Sequence, residues 1–426
     1  MMKFTPMKDS RYYPWAVVGL LWVVALLNYM DRQMLSTMRP SMQIDIAELT
    51  SATNFGRLMA VFLWIYGLMS PVAGAIADRF NRKRLIVGSL FVWSAVTFAM
   101  GYAETFSQLY WLRALMGVSE ALYIPAGLSL IADYHKDKSR SLAIGIHMTG
   151  LYMGQALGGF GATVAEYFTW HTAFQLFGLI GIIYSLVLMF FLREIKVPSA
   201  VLKGVQQQLV KKRTFAFKGI GLLLSNMSFW VILFYFAVPS LPGWATKNWL
   251  PTLFAQNLDI PMSTAGPLST ITIAFSSFIG VIFGGILSDR WVKKNIKGRI
   301  YTSAIGLGMT IPSLLLLGFG HSLFHVVAAA LCFGLGFGMF DANNMPILCQ
   351  FVSARYRATA YGLMNMTGVF SGAYITDLLG RSSDEGQLGR DFAMLAGVVL
   401  IALAIQLYFL RPKVDDFNED YSPERS

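Results

Sequence analysis

Long apolar runs alternate with short polar breaks along the whole chain. Twelve stretches stand out, near residues 14–37, 56–77, 84–103, 107–131, 140–164, 171–192, 226–254, 264–288, 299–320, 323–348, 356–379 and 389–410. About 20 apolar residues wound as an α-helix cross the hydrocarbon layer of a bilayer. The pattern therefore predicts an all-α integral membrane protein with twelve transmembrane helices, whose even number puts both termini on one side. One long polar interruption, from Arg193 to Lys218, divides the chain. It separates a six-helix bundle over residues 1–192 from a second over 219–412, with 193–218 as linker and 413–426 as a short polar tail.

Composition changes the picture in one respect, the choice of side. With 55% hydrophobic and 13% charged residues, the 426-residue chain has more apolar surface than a soluble core can hide, so lipid must cover much of it. If the termini are cytoplasmic, all but seven of the 34 Lys and Arg fall in cytoplasmic loops and tails. Arg39, Arg57, Arg381 and Arg390 lie outside, and Arg32, Arg113 and Lys247 lie within helices. This asymmetry is the positive-inside rule, and it predicts a multi-pass protein of the cell (inner) membrane with cytoplasmic termini and linker. The net charge of +11 is accounted for by topology and anionic lipid, with Lys211-Lys212-Arg213 facing headgroups, and no nucleic-acid partner is needed. Cys332 and Cys349 sit about five helical turns apart in one segment, so neither a disulfide nor a metal site is expected. The first apolar stretch is too long for a removable signal peptide.

Internal repeats come next. Gly74-Ala-Ile-Ala-Asp78-Arg79 returns as Gly285-Ile-Leu-Ser-Asp289-Arg290, an offset of 211, each time between two apolar segments. Gly117-Val-Ser-Glu120-Ala121-Leu-Tyr-Ile-Pro125 returns as Gly338-Met-Phe-Asp341-Ala342-Asn-Asn-Met-Pro346, which makes Glu120 and Asp341 symmetry mates. Arg140-Ser-Leu-Ala-Ile-Gly145 returns as Arg357-Ala-Thr-Ala-Tyr-Gly362. Three echoes in the same order indicate a duplicated six-helix unit, the plan of many transporters. Gly74 and Gly285 read as helix-packing positions.

Charges inside the bilayer mark the place to look for function, because each costs at least about 2.5–3.5 kcal/mol at mid-membrane unless it meets a partner or a polar path. The first helix carries Asn28-Tyr29-Met30-Asp31-Arg32, and the fourth carries Arg113 and Glu120 two turns apart on one face. Tyr66, Gln155 and Asn365 are candidate polar contacts, with His147 read as an interior histidine. In the second half, Asp341, Asn343 and Asn344 supply carboxylate and amide groups suited to a hydroxyl-rich ligand. Lys247 reads as a side chain snorkelling to the outer interface.

The duplicated Gly-x-x-x-Asp-Arg phrase resembles the loop signature of the major facilitator superfamily. Asn28 to Arg32, and Arg113-x-x-x-Gly117-x-x-Glu120-Ala121-x-x-x-Pro125, resemble its anion:cation symporter branch, which includes bacterial hexuronate and galactonate carriers and sialin. The resemblance implies the major facilitator fold and uptake of a small organic anion, a sugar acid of the hexuronate, aldonate or sialic acid type, with the proton as coupling ion and no other cofactor. It implies that Asp31 and Glu120 handle protons and that Arg32 and Arg113 serve substrate binding or coupling. Tyr29, Tyr66, Gln155, Asn343, Asn344 and Asn365 are then substrate contacts, with Asp341 a second-half acid. The repeated loops become a gate: Asp78 and Arg79 against the start of helix eleven at Arg357, and Asp289 and Arg290 against the start of helix five at Arg140. The chain is expected to act as a monomer and not as an enzyme, since no nucleophile, metal or phosphate-loop phrase occurs. A spinster-like lipid or lysolipid carrier is the main rival, and a drug/proton antiporter the third.

Overall fold

The computed structural model describes residues 12–77, 80–135, 139–193, 221, 223–352 and 356–410. The expectations for Asp78 and Arg79, for the linker beyond Arg193 and for the 413–426 tail fall outside these residues. Within them the chain forms twelve helical rods and no strand. In the first half these are α1 (Tyr13–Asp45), α2 (Ala52–Ala77), α3 (Arg82–Met100), α4 (Phe106–Ala121 and Tyr123–Tyr134), α5 (Arg140–Gly158 and Gly161–Tyr167) and α6 (Trp170–Phe191). In the second they are α7 (Met227–Leu258), α8 (Met262–Val292), α9 (Gly298–Phe319), α10 (Leu323–Asp341 and Asn344–Phe351), α11 (Arg357–Asp384) and α12 (Leu388–Phe409).

Among the described residues, ten rods are long and apolar enough to cross a membrane. The remaining two are α5, which carries His147, Thr149 and Gln155, and α11, which carries Asn365, Thr367 and Asp377. Both pack between the halves, where polar side chains have somewhere to point. The breaks in α4 and α10 are repeat mates. Pro125 and Pro346 each lack the N–H that would bond the carbonyl four residues back, Ala121 and Ala342, and each ring crowds that carbonyl. The helix interrupts there in both halves, directly after Glu120 and at Asp341.

Within the first half α1 packs on α5, α3 on α6 and α2 on α4; within the second α7 packs on α11, α8 on α10 and α9 on α12. The repeat explains why two of these contacts are so close. A Cβ on Gly117 would stand 2.8 Å from the Phe62 carbonyl oxygen on α2, and one on its mate Gly338 would stand 2.3 Å from the Ser277 carbonyl oxygen on α8.

The halves meet along α2 with α11, α5 with α8, and α1 with α7. Their contacts concentrate at the end away from the chain termini. There Asp384 accepts hydrogen bonds from Ser51, Ala52 and Thr53, and Thr163 Oγ1 donates to the Ser263 carbonyl at 2.9 Å. Gly159 and Gly266 are backbone neighbours there as well. At the basic end, a Cβ added to Gly74, Gly145, Gly285 or Gly362 would meet nothing within 4 Å. Among the described residues, Gly74 and Gly285 therefore make no close contact with another helix, contrary to expectation. Among the described residues, hydrogen bonds join the halves at the far end and none joins them at the basic one.

Candidate functional site

Four ionisable side chains form a buried group inside the first half. Arg32 donates from Nε to Glu120 Oε2 at 2.6 Å, and Asn28 donates from Nδ2 to the same oxygen at 2.9 Å. Glu120 is fully buried and the Arg32 side chain is 11% exposed. Aromatic rings surround the guanidinium, with centroids at 5.1 Å for Tyr29, 4.9 Å for Phe62 and 4.6 Å for Tyr66. Such rings favour a cation that water does not reach. Two polar atoms of the pair are buried without a hydrogen-bond partner: Glu120 Oε1 and Arg32 Nη2. Unpartnered buried groups are uncommon and call for a reason.

Asp31 and Arg113 lie behind this pair. Asp31 points toward α3, accepting from Thr97 Oγ1 at 3.1 Å. Arg113 is buried against the Phe62 ring at 4.6 Å, with Nη1 3.2 Å from Met116 Sδ. Burial of Arg113 and Glu120 on one face of α4 agrees with their spacing, but Arg113 forms no ion pair among the described residues and does not line the cavity. His147 is likewise buried, edge-on to Tyr123.

A cavity of about 80 Å³ lies between the halves. Tyr29, Tyr152 and Gln155 face it from the first half, Thr246, Lys247, Ser277 and Asp341 from the second, and Phe333 and Phe337 close one side. Tyr29 joins the cavity to the buried pair, since its ring is on the wall and also beside Arg32.

Of the expected contacts, Tyr29, Gln155 and Asp341 reach the cavity wall. Tyr66 instead covers Arg32, and Asn365 stays half-buried on α11 away from the wall. Asn343 turns back on its own helix, donating to the Met339 carbonyl at 2.8 Å. Asn344 holds Asp341, donating from Nδ2 to Oδ1 at 3.1 Å, and accepts from Tyr235 OH at 3.2 Å. Both amides complete the α10 break. Lys247 does not snorkel outward: it faces the cavity beside the Trp244 ring, 4.8 Å from its centroid. Tyr152 was missed, because an aromatic on an apolar helix carries no signal until the rotation of that helix is known.

The gate residues are arranged within each half. Arg140 donates to the His135 and Ala132 carbonyls at 3.2 and 3.4 Å, and Arg357 donates to the Val352 and Cys349 carbonyls at 3.1 and 3.3 Å. Each thus caps the last turn of the rod before it. Asp289 meets Arg299 at 3.3 Å across its own loop, not Arg140, and Arg290 is exposed. Among the described residues, Asp289 and Arg290 form no hydrogen bond or ion pair with the other half.

The architecture has known counterparts. A bacterial homologue of the human lysosomal transporter Spinster, solved in an inward-facing, occupied conformation, superposes with a TM-score of 0.77 at 19% identity, covering 96% of this chain and 99% of that one. A hexuronate transporter of Bacillus subtilis is 24% identical, with 93% of this chain and 94% of that protein aligned. A probable galactarate/D-glucarate transporter of Escherichia coli K12 is 24% identical over 85% and 86% of the two chains. A sphingosine-1-phosphate transporter of Xenopus tropicalis is 25% identical over 94% and 82%. The description "Major Facilitator Superfamily" matches residues 21–376, which span the duplicated halves and every charge of the site. The chain is a membrane transporter, not an enzyme, and belongs to the Major Facilitator Superfamily.

Proposed function

We propose that this carrier takes up a small organic anion of the sugar-acid kind, a hexuronate, aldonate or sialic acid type, by proton symport with alternating access in the cell membrane. The buried Arg32–Glu120 pair carries this reading. Its carboxylate keeps one free oxygen and its guanidinium one free nitrogen, beside a cavity between the halves. A carboxylate ligand entering past Tyr29 competes with Glu120 for Arg32, for which a planar guanidinium offers a matching fork. Glu120, deprived of its cation, then takes a proton, and the loaded site closes with its charges matched. Asp31, held by Thr97, supplies a second protonatable carboxyl in the same half. Relatives named as hexuronate and galactarate/D-glucarate transporters support the ligand class.

The basic end is assigned to the cytoplasm on the distribution of Lys and Arg. Purified protein in liposomes should accumulate labelled D-glucuronate, D-gluconate or sialic acid when the outside is acidic, and a protonophore should abolish this. Glu120→Gln should retain exchange of internal for external substrate but lose the response to the proton gradient. Gradient-driven uptake by that variant at the wild-type level would sink the assignment.

A lysolipid is the second reading, favoured by the aromatic wall at Phe333 and Phe337 and by the likeness to proteins named for Spinster and sphingosine-1-phosphate. Stabilisation of the protein by a lysolipid and by no sugar acid would establish it.

A further inference from the structure

Two opposite charges face the cavity from the second half without touching. Lys247 projects from α7 and Asp341 from the break in α10, both on the cavity wall and within electrostatic reach of one another. No ion pair within 4.0 Å joins them among the described residues. In a medium of low dielectric, opposite charges a few ångströms apart attract strongly and collapse together unless something holds them. Here each is held from its own side. The Lys247 ammonium rests beside the Trp244 ring, 4.8 Å from the centroid. The Asp341 carboxylate is fixed through Asn344 Nδ2, Asn344 is fixed by Tyr235 OH at 3.2 Å, and that hydroxyl lies 2.8 Å from Ser303 Oγ. A relay anchored in α7 and α9 thus sets the orientation of the acid.

The arrangement is a preorganised gap with a cationic pole and an acceptor pole. We infer that Lys247 and Asp341 form a two-pole substrate site. With Arg32 still paired to Glu120, Lys247 takes the carboxylate of the ligand in the cavity, ahead of its passage past Tyr29 to Arg32, and Asp341 accepts hydrogen bonds from hydroxyls further along the same molecule. The inference rests on the sugar-acid reading and deepens it: the ligand must be a hydroxylated carboxylate, and a plain fatty carboxylate of the same length is selected against. Asp341 does this in two ways, by rewarding hydroxyl hydrogens and by repelling an anion that brings none.

The test is thermal stabilisation of the purified full-length protein by three probes: D-gluconate, hexanoate and lysophosphatidate. Hexanoate has the six carbons of gluconate without the chain hydroxyls. Wild type should respond to gluconate at about tenfold or more lower concentration than to hexanoate, the worth of one or two hydrogen bonds to a charged group. Lys247→Met should raise the gluconate midpoint by about tenfold or more, and Lys247→Arg should recover most of it. Asp341→Asn should erase the preference for gluconate while hexanoate binds as well as, or better than, it binds wild type. A merely structural aspartate would weaken both ligands alike.

Gluconate stabilisation unchanged in Lys247→Met, or a preference for gluconate retained in Asp341→Asn, overturns the inference and leaves the sugar-acid reading standing. If only lysophosphatidate stabilises wild type, the sugar-acid reading falls. Lys247→Met then decides the cationic pole separately, by losing or keeping that response. If no probe stabilises wild type at millimolar concentration, both fall together.

Discussion

Asp384 joins the two halves where they are closed, and replacing it should loosen that closure by a calculable amount. The helix α11 outlasts its apolar stretch, which ends near residue 379, so Asp384 stands beyond the bilayer. Its Oδ1 accepts from the Ala52 backbone N–H at 2.6 Å, and its Oδ2 from the Thr53 N–H and the Ser51 hydroxyl, both at 2.8 Å. A carboxylate from one half thus caps the first turn of a helix in the other. Loss of an N-cap side chain costs about 1 kcal/mol, and an anion at a helix N-terminus adds about 0.3–1 kcal/mol where exposed. Asp384→Ala should therefore weaken the closed far end by about 1–2 kcal/mol, a factor of about 5–30 in its population. Spin labels on the exposed Glu48 and Glu385 positions, with Cys332 and Cys349 replaced by Ser, would report this by double electron–electron resonance. The far-end distance distribution should gain a longer component in the variant.

Acidity should act through the same group. Burial at the joint pushes the Asp384 carboxyl up, but the hydrogen bonds from Thr53, Ser51 and Ala52 outweigh it and hold it down to about 2. A carboxyl depressed by the closed state stabilises that state fully above its ordinary range near 4 and loses the effect as pH falls toward 2. The far end of wild type should thus open progressively between about pH 4 and pH 2, while Asp384→Ala should lack that component. Identical distance distributions for variant and wild type at neutral pH would refute the role of Asp384 as a latch.

Four other substitutions test packing and charge. Gly338→Ala drives a methyl toward the Ser277 carbonyl and should destabilise by about 1–3 kcal/mol, read as a lowered Tm. Gly74→Leu and Gly285→Leu meet open space and should leave Tm unchanged, yet slow transport by obstructing approach of the halves at the basic end; wild-type transport rates would contradict this. Arg113→Met removes a buried cation from within electrostatic reach of Asp31 and Glu120 and should lower Tm, by less than loss of an ion-paired charge would. Because Arg113 stands behind the cavity wall, stabilisation by substrate should survive in that variant, and its loss would restore Arg113 to the binding site.

The helices were legible because apolar length is a one-dimensional property. Their ends agree with the hydropathy pattern to a few residues at most boundaries, but the breaks before Pro125 and Pro346 were not read from it, since both segments are apolar throughout. Arg32 and Glu120 were legible for a related reason, since a charge at mid-membrane is conspicuous wherever its helix points. Helix rotation was not legible. Arg113 and Lys247 are both lone cations in apolar helices, yet one turns behind the wall and the other onto it. The paired amides at Asn343 and Asn344 read as ligand contacts, but an interrupted helix leaves backbone and carboxylate groups to be satisfied, and they serve those. The loop carboxylate Asp289 was not legible either, because a nearer cation across its own loop, Arg299, takes it in place of Arg140.

The site charges also sum to zero when ionised: Asp31 and Glu120 against Arg32 and Arg113 in one half, Asp341 against Lys247 in the other. A single unbalanced charge carried through a potential of 100 mV exchanges about 2.3 kcal/mol with the field. With both halves neutral, the voltage across the membrane has nothing to pull on when the unloaded protein reorients. Voltage steps applied to the carrier without ligand should evoke no charge displacement, and current should appear only when protons enter in excess of anion charge. The cell's electrical gradient would then be drawn upon by productive cycles alone, and the return journey would run at the same rate in polarised and depolarised membranes.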